Sequence, residues 1–213
     1  MQKIMFNDRY GLTRAVIEGR KTMTRRIEGD AQFQDMAAFT GEIFYNEDTG
    51  WIDMQCEGID IFNHKPRYKV GEIVAVAQSY KAVGIDETET IPYRKFLTIA
   101  REHKGWRNKM YVSAELMPHQ IRITGIKCER LQDISDEDCI KEGVRGEGIG
   151  FFVPGIKCKD WSKESHVDTE DGMTWKLFPT RRQAFASLID RVSGKGTWKS
   201  NPWVVVYEFE LIK

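Results

Sequence analysis

No long hydrophobic run is present. Nothing in the 213 residues approaches the roughly 18 consecutive apolar positions of a membrane-spanning helix, so no such helix is expected. The first residues, Met1 to Val16, carry one Lys, a very short apolar stretch and then Asn-Asp-Arg, and are not expected to act as a secretory signal. The four cysteines, Cys56, Cys128, Cys139 and Cys158, form no C-x-x-C pair. This removes the zinc-ribbon signature and suits a cytoplasmic protein with reduced thiols. The histidines His64, His103, His119 and His166 stand singly, without metal-ligand spacing, so neither a metal nor another cofactor is expected. No repeat of 20–50 residues is visible, which argues against a solenoid or propeller.

Net charge is also lacking, since 32 Lys/Arg balance 32 Asp/Glu. A histone-like coat of phosphate contacts is therefore not expected, although a local basic site remains open. The balance hides segregation. Residues 1–27 carry +5, 28–64 carry −9 with no Lys or Arg, 65–127 carry +6, 128–147 carry −4 and 148–213 carry +2. Blocks of this kind mark either solvated faces or surfaces that neutralise one another.

Apolar residues make up 41% of the chain and charged residues 30%, enough to bury a core in one domain with sizeable insertions. The stripe Leu12, Ala15, Val16 predicts a helix from Asp8 to Glu18, ended by Gly19. Strands are predicted at Val70–Tyr80, Gln120–Arg130 and Trp203–Ile212, the last opened by Asn201-Pro202. Ser135 and an acidic first turn predict a short helix to Glu142. Thr180 with Gln183 has capping-box spacing and starts a helix to Val192. The stretches 28–69, 81–118 and 145–178 are read as insertions on a small mixed core. Within the second, residues 93–111 mix six Lys/Arg with Tyr93, Phe96, Trp106 and Tyr111. That segment is either an amphipathic helix over Arg94–Lys104 or a stacking platform for single-stranded nucleic acid.

The most informative segment is Gly19-Arg20-Lys21-Thr22-Met23-Thr24-Arg25-Arg26, of the form G-x-K-x-x-T-x-R, directly after an amphipathic helix. Three later pieces follow in order. They are Val70-Gly71-Glu72-Ile73-Val74-Ala75-Val76, the block Glu129 to Val144 (ERLQDISDEDCIKEGV), and Trp198 to Phe209 with Asn201-Pro202-Trp203. Together they resemble the ASCH domain family of the PUA-like superfamily, above all its bacterial and phage versions. The resemblance implies an α+β fold built on a PUA-like, five- or six-stranded, mostly antiparallel β-barrel with flanking helices and long insertions. It implies one domain over 1–213 and a partner that is RNA or a modified nucleoside.

Two departures bear on function. Family members often carry Glu where Thr24 stands, and Thr there is similar to a subgroup that hydrolyses N4-acetylcytidine. The longer relatives often have Arg-Glu-Thr where this chain has Ala77-Gln78-Ser79. In the hydrolytic subgroup a Lys, a Thr and a Glu act together, and the motif carries these onto Lys21 as base, Thr24 as nucleophile and Glu142 as assistant. Gly19, Arg25, Arg26, Trp198 and Trp203 are the candidate ligand-binding residues, the arginines for a phosphate or carbonyl and the tryptophans for a base. Three readings follow: an RNA- or nucleoside-binding module, an amidohydrolase of N4-acetylcytidine-type nucleosides, or a phage-related structural or interaction protein.

Overall fold

The computed structural model describes residues 1–28, 31–40, 42–83, 104–170 and 172–212. In chain order, the first half contains β1 (Gln2–Ile4), α1 (Leu12–Ile17), β2 (Met23–Arg26), α2 (Ala31–Phe39), β3 (Glu42–Asn46), β4 (Trp51–Cys56), β5 (Ile59–His64), β6 (Ile73–Val76) and α3 (Tyr80–Val83). The second half contains β7 (Gln120–Arg130), α4 (Asp136–Lys141), β8 (Arg145–Glu147), β9 (Gly150–Phe152), β10 (His166–Asp168), β11 (Thr174–Lys176), α5 (Arg181–Val192), α6 (Thr197–Ser200) and β12 (Trp203–Leu211).

The architecture is α+β. Its principal sheet has five strands in the order β1-β6-β7-β12-β2. All its pairings are antiparallel except β1 with β6. Among the described residues no ladder joins β1 to β2, so the backbone pairing leaves the sheet open. The two edges nevertheless approach each other, since Arg26 Nη2 donates to the Met5 carbonyl at 2.7 Å.

In β12, Val204, Val205, Val206 and Tyr207 are all buried, and alternation begins only at Phe209-Glu210. An uninterrupted apolar run is what a strand covered on both faces requires. The helical cover includes α5, whose Ala184, Phe185, Leu188 and Ile189 join the core. A second part of that core comes from residues 28–69, which fold into α2 and the antiparallel meander β3-β4-β5. Phe33, Ile52 and Met54 from this unit are fully buried in the same core as Val205 and Tyr207. Gln34 clips the unit to the sheet by donating to the Trp203 carbonyl and accepting from its N–H, both at 2.9 Å.

The caps of α4 and α5 follow the sequence. Ser135 accepts from the Asp138 N–H, and Thr180 from the Gln183 N–H. The helix expected over Asp8–Glu18 is broken. A 3-10 turn at Asp8–Tyr10 ends at Gly11, which has φ 64°, and α1 starts anew at Leu12. The strand expected over Val70–Tyr80 is confined to β6, and the chain leaves it for α3. The third insertion forms two hairpins, β8-β9 and β10-β11. Residues 94–103 of the predicted helix lie outside the described residues. Described helices include none long and apolar enough to cross a membrane.

Gly155 anchors the third insertion against the N-terminal turn. It has φ +83°, and a β-carbon there would overlap the Arg9 carbonyl oxygen. Gly155→Ala is therefore expected to destabilise the fold by about 2 kcal/mol or more, read as a lowered midpoint in urea unfolding.

Candidate functional site

The site begins with a turn. Gly19 takes φ 69° after α1, and the next two N–H groups, of Arg20 and Lys21, both donate to the Ala15 carbonyl at 2.8 and 2.9 Å. A left-handed position suits Gly, which has no β-carbon to clash. The turn sends the Lys21 side chain inward, where it is 1% exposed. Its Nζ donates to the Met23 carbonyl at 2.7 Å, the Glu142 carbonyl at 2.9 Å and Glu142 Oε2 at 2.5 Å. Glu142 arrives from the C-terminal cap of α4, and Gly143 beyond it has φ +107°. A pair 121 residues apart in sequence thus closes in a dry interior.

Arg25 is held by three carboxylates. Its Nη2 donates to Glu129 Oε1 at 2.6 Å and Asp138 Oδ2 at 2.7 Å, and its Nη1 to Glu142 Oε1 at 3.2 Å. Lys127 closes the network through Glu129 at 2.9 Å and Asp138 at 3.4 Å. Lys21 and Arg25 of the basic N-terminal block are thereby paired with acids of the block 128–147. No ion pair among the described residues joins the acids of 28–64 to the Lys and Arg of 65–127.

Burial pushes the Lys21 amine below its ordinary 10.5, and Glu142 only partly offsets this. Burial opposes the charge on Arg25 too, but Glu142 and Glu129 outweigh it and hold the guanidinium above its usual value. For Asp138, burial favours the neutral acid, yet Arg25 and then Lys127 keep the carboxyl below 3.8. A carboxylate with a depressed folded value stabilises the fold fully above its unfolded value, near 3.8, and loses that contribution as pH falls through the folded value. Asp138→Ala is expected to lower the thermal midpoint by several degrees at neutral pH. The gap to the wild type should close in strong acid, followed by circular dichroism.

Lys21, Thr24, Arg25, Arg26 and Glu142 line one cleft of about 460 Å3, together with Phe6, Leu12 and the α5 residues Leu188 and Ile189. Its volume lies in the range of about 300–1,000 Å3 common for small-molecule sites, and apolar walls with a few convergent polar groups are the usual makeup. Alternation along β2 separates Thr24 and Arg26 from Met23 and Arg25, whose Nη1 lies 3.1 Å from Met23 Sδ. Arg25 is therefore part of the wall, with a guanidinium already committed. Arg26 retains capacity. Among the described residues its hydrogen-bond acceptor is the Met5 carbonyl, and Nε is shut off from solvent without a partner there. The Thr24 side chain is buried, and among the described residues no hydrogen bond joins its hydroxyl to Lys21 Nζ.

No family model, curated protein or solved structure matches the chain.

The structure gathers Lys21, Thr24, Arg25, Arg26 and Glu142, and leaves the other three candidates outside the cleft lining. Gly19 shapes the turn. Trp198 on α6 packs edge-on against Phe185, with ring centroids 6.1 Å apart, and its backbone N–H donates to Asp190 Oδ1. Trp203 lies under the Arg130 guanidinium, 4.8 Å from its centroid. Burial pushes the Cys128 and Cys139 thiols up to about 12, so neither is a thiolate near neutral pH. No group of three or more His, Cys, Asp or Glu among the described residues is placed to hold a metal ion. Glu129 and Asp138 are the functional neighbours that motif reading missed. Their signal was the −4 block, whose sign complements the Lys-Thr-Arg-Arg run.

Proposed function

We propose that the protein is an ASCH-type amidohydrolase that accepts an N4-acetylcytidine-type nucleoside in the Lys21 cleft. The five-stranded sheet is then the core of a PUA-like barrel, its two edges bridged by Arg26 and Met5. One observation supports this reading over simple RNA binding: the Lys21–Glu142 pair is buried beside Thr24. A lysine that holds a phosphate of RNA needs a free proton to donate, and those of Lys21 are engaged by the Met23 and Glu142 carbonyls and the Glu142 carboxylate. A buried ion pair is, moreover, weak support for stability, because desolvation offsets most of its Coulomb gain. Its placement in a cleft wall is the arrangement expected of a tuned acid–base pair.

As an ammonium, Lys21 spends all three protons on its three acceptors. Burial lowers the cost of losing one of these protons, and the amine so formed is able to act as base. In this mechanism Thr24 Oγ bonds to the acyl carbon as its proton moves to Lys21, through a water or after side-chain rotation. The proton then goes to the exocyclic N4 nitrogen of the cytosine as the acyl C–N bond breaks. Water hydrolyses the resulting ester and releases the acid. Arg26 supplies a donor for the developing oxyanion.

Incubation with N4-acetylcytidine, followed by chromatography, is expected to yield cytidine and acetate in equal amounts. Binding without turnover would return the cleft to the role of a nucleoside-binding module.

A further inference from the structure

A second cavity, of about 360 Å3, lies on the other side of the Lys21–Glu142 wall. Its lining includes Arg20, Arg145, Arg181, Gly143, Gly146 and Phe151. The two cavities share backbone: Arg20 precedes Lys21, Gly143 follows Glu142, and a β-carbon on Gly143 would sit 3.9 Å from Lys21 Cδ. We propose that this pocket binds a phosphate group.

Two of the three arginines, Arg145 and Arg181, are incompletely neutralised. Arg20 is paired with Glu18, at 2.5 Å, on an exposed face. Among the described residues Arg181 meets one carboxylate, Asp136, at 3.4 Å, and both side chains are partly exposed. Arg145 is exposed and has no carboxylate partner among the described residues; its guanidinium lies 5.1 Å from the Phe152 ring centroid. Its charge is thus left for a ligand. Arg181 is stacked on Phe151, 4.7 Å from the ring centroid, which fixes the plane of its fork. Its Nε is closed to solvent and has no acceptor among the described residues. A guanidinium held in this way matches the geometry of phosphate oxygens. Arg181 is also the first residue of the twelve-residue helix α5, whose N-terminal dipole end favours an anion. The acids paired with these arginines are Glu18 and Asp136, while Glu142 in the wall is engaged by Lys21 and Arg25. The proposal needs no chemistry in the Lys21 cleft, and it stands whether or not that cleft turns over a substrate.

Such a phosphate comes from a free phosphate or mononucleotide, or from a polynucleotide backbone, and the test separates them. Amide chemical shifts of residues 140–151 would be followed by NMR during titration with inorganic phosphate, and separately with a short single-stranded RNA. Shifts with inorganic phosphate are expected if the pocket serves a small phosphorylated ligand. Shifts with RNA alone would assign it to a polynucleotide backbone. In either case Arg145→Glu is expected to weaken binding at least about tenfold, and Arg181→Gln by a similar factor, while Arg191→Ala, at the far end of α5, has no effect. Thermal midpoints would confirm that each variant is folded. No shifts with either probe at millimolar concentration would overturn the proposal, as would wild-type binding by folded Arg145→Glu.

Discussion

Glu142→Leu is expected to destabilise the protein by about 3–5 kcal/mol, because removing one partner strands the other charge in a dry interior. Lys21 would keep two carbonyl acceptors but lose its carboxylate, and Arg25 would keep Glu129 and Asp138. The larger share of the loss therefore belongs to Lys21. Adding Lys21→Met removes the stranded charge and places an unbranched apolar chain beside Phe6 and Leu12. The double variant is expected to return to within about 2 kcal/mol of the wild type. Urea unfolding of the three proteins gives both differences. Titration adds a signed check. The folded Lys21 value lies below 10.5, so between that value and 10.5 the unfolded chain binds more protons and stability rises with pH. Lys21→Met is expected to lose this slope.

Thr24→Ala and Lys21→Arg are each expected to reduce turnover of N4-acetylcytidine by on the order of 10²–10⁴-fold without unfolding the domain. Alanine removes the nucleophile. Arginine keeps the positive charge but cannot surrender its proton near neutral pH. Combining Thr24→Ala with Lys21→Met should lower the rate little beyond either change alone, since both groups act in one step. Thr24→Ser should keep part of the activity. The wild-type rate should climb with pH to a midpoint below 10.5. Full activity in Thr24→Ala would remove the hydroxyl as nucleophile and leave water as the attacking group.

The elements read best from sequence are those with strong local signals. β7 and β12 stand where their β-branched runs place them, and α4 and α5 begin at their capping Ser and Thr. The break at Gly11 was missed because the capping Asn7 and Asp8 drew the helix start forward, although the apolar stripe Leu12, Ala15 and Val16 begins only after Gly11. Tertiary contact with Pro154, whose Cβ lies 3.4 Å from where a Gly11 β-carbon would be, accompanies the left-handed turn. The meander β3-β4-β5 escaped notice because polar residues sit between its inward Ile43, Ile52 and Met54. Asp53 in its centre is buried and held by amides of Asn46 and Asn63, a pattern that reads as loop chemistry in one dimension.

In the site, the motif and the resemblance brought Lys21, Thr24 and Glu142 to one region, and all three line one cleft. The roles of the two arginines could have been told apart by strand alternation, which turns Arg25 toward Met23 and Arg26 toward Thr24. The tryptophans could not. Their aromatic faces suit a base pocket and a hydrophobic core equally, and here Phe185 and Arg130 occupy them.

The most direct test compares cytidine release from N4-acetylcytidine by the wild type and by the Lys21→Met/Glu142→Leu double variant, both checked as folded under the assay conditions. Steady release by the wild type and none by the double variant is the expected result. Equal release by the two folded proteins would show that the Lys21–Glu142 pair takes no part in the chemistry.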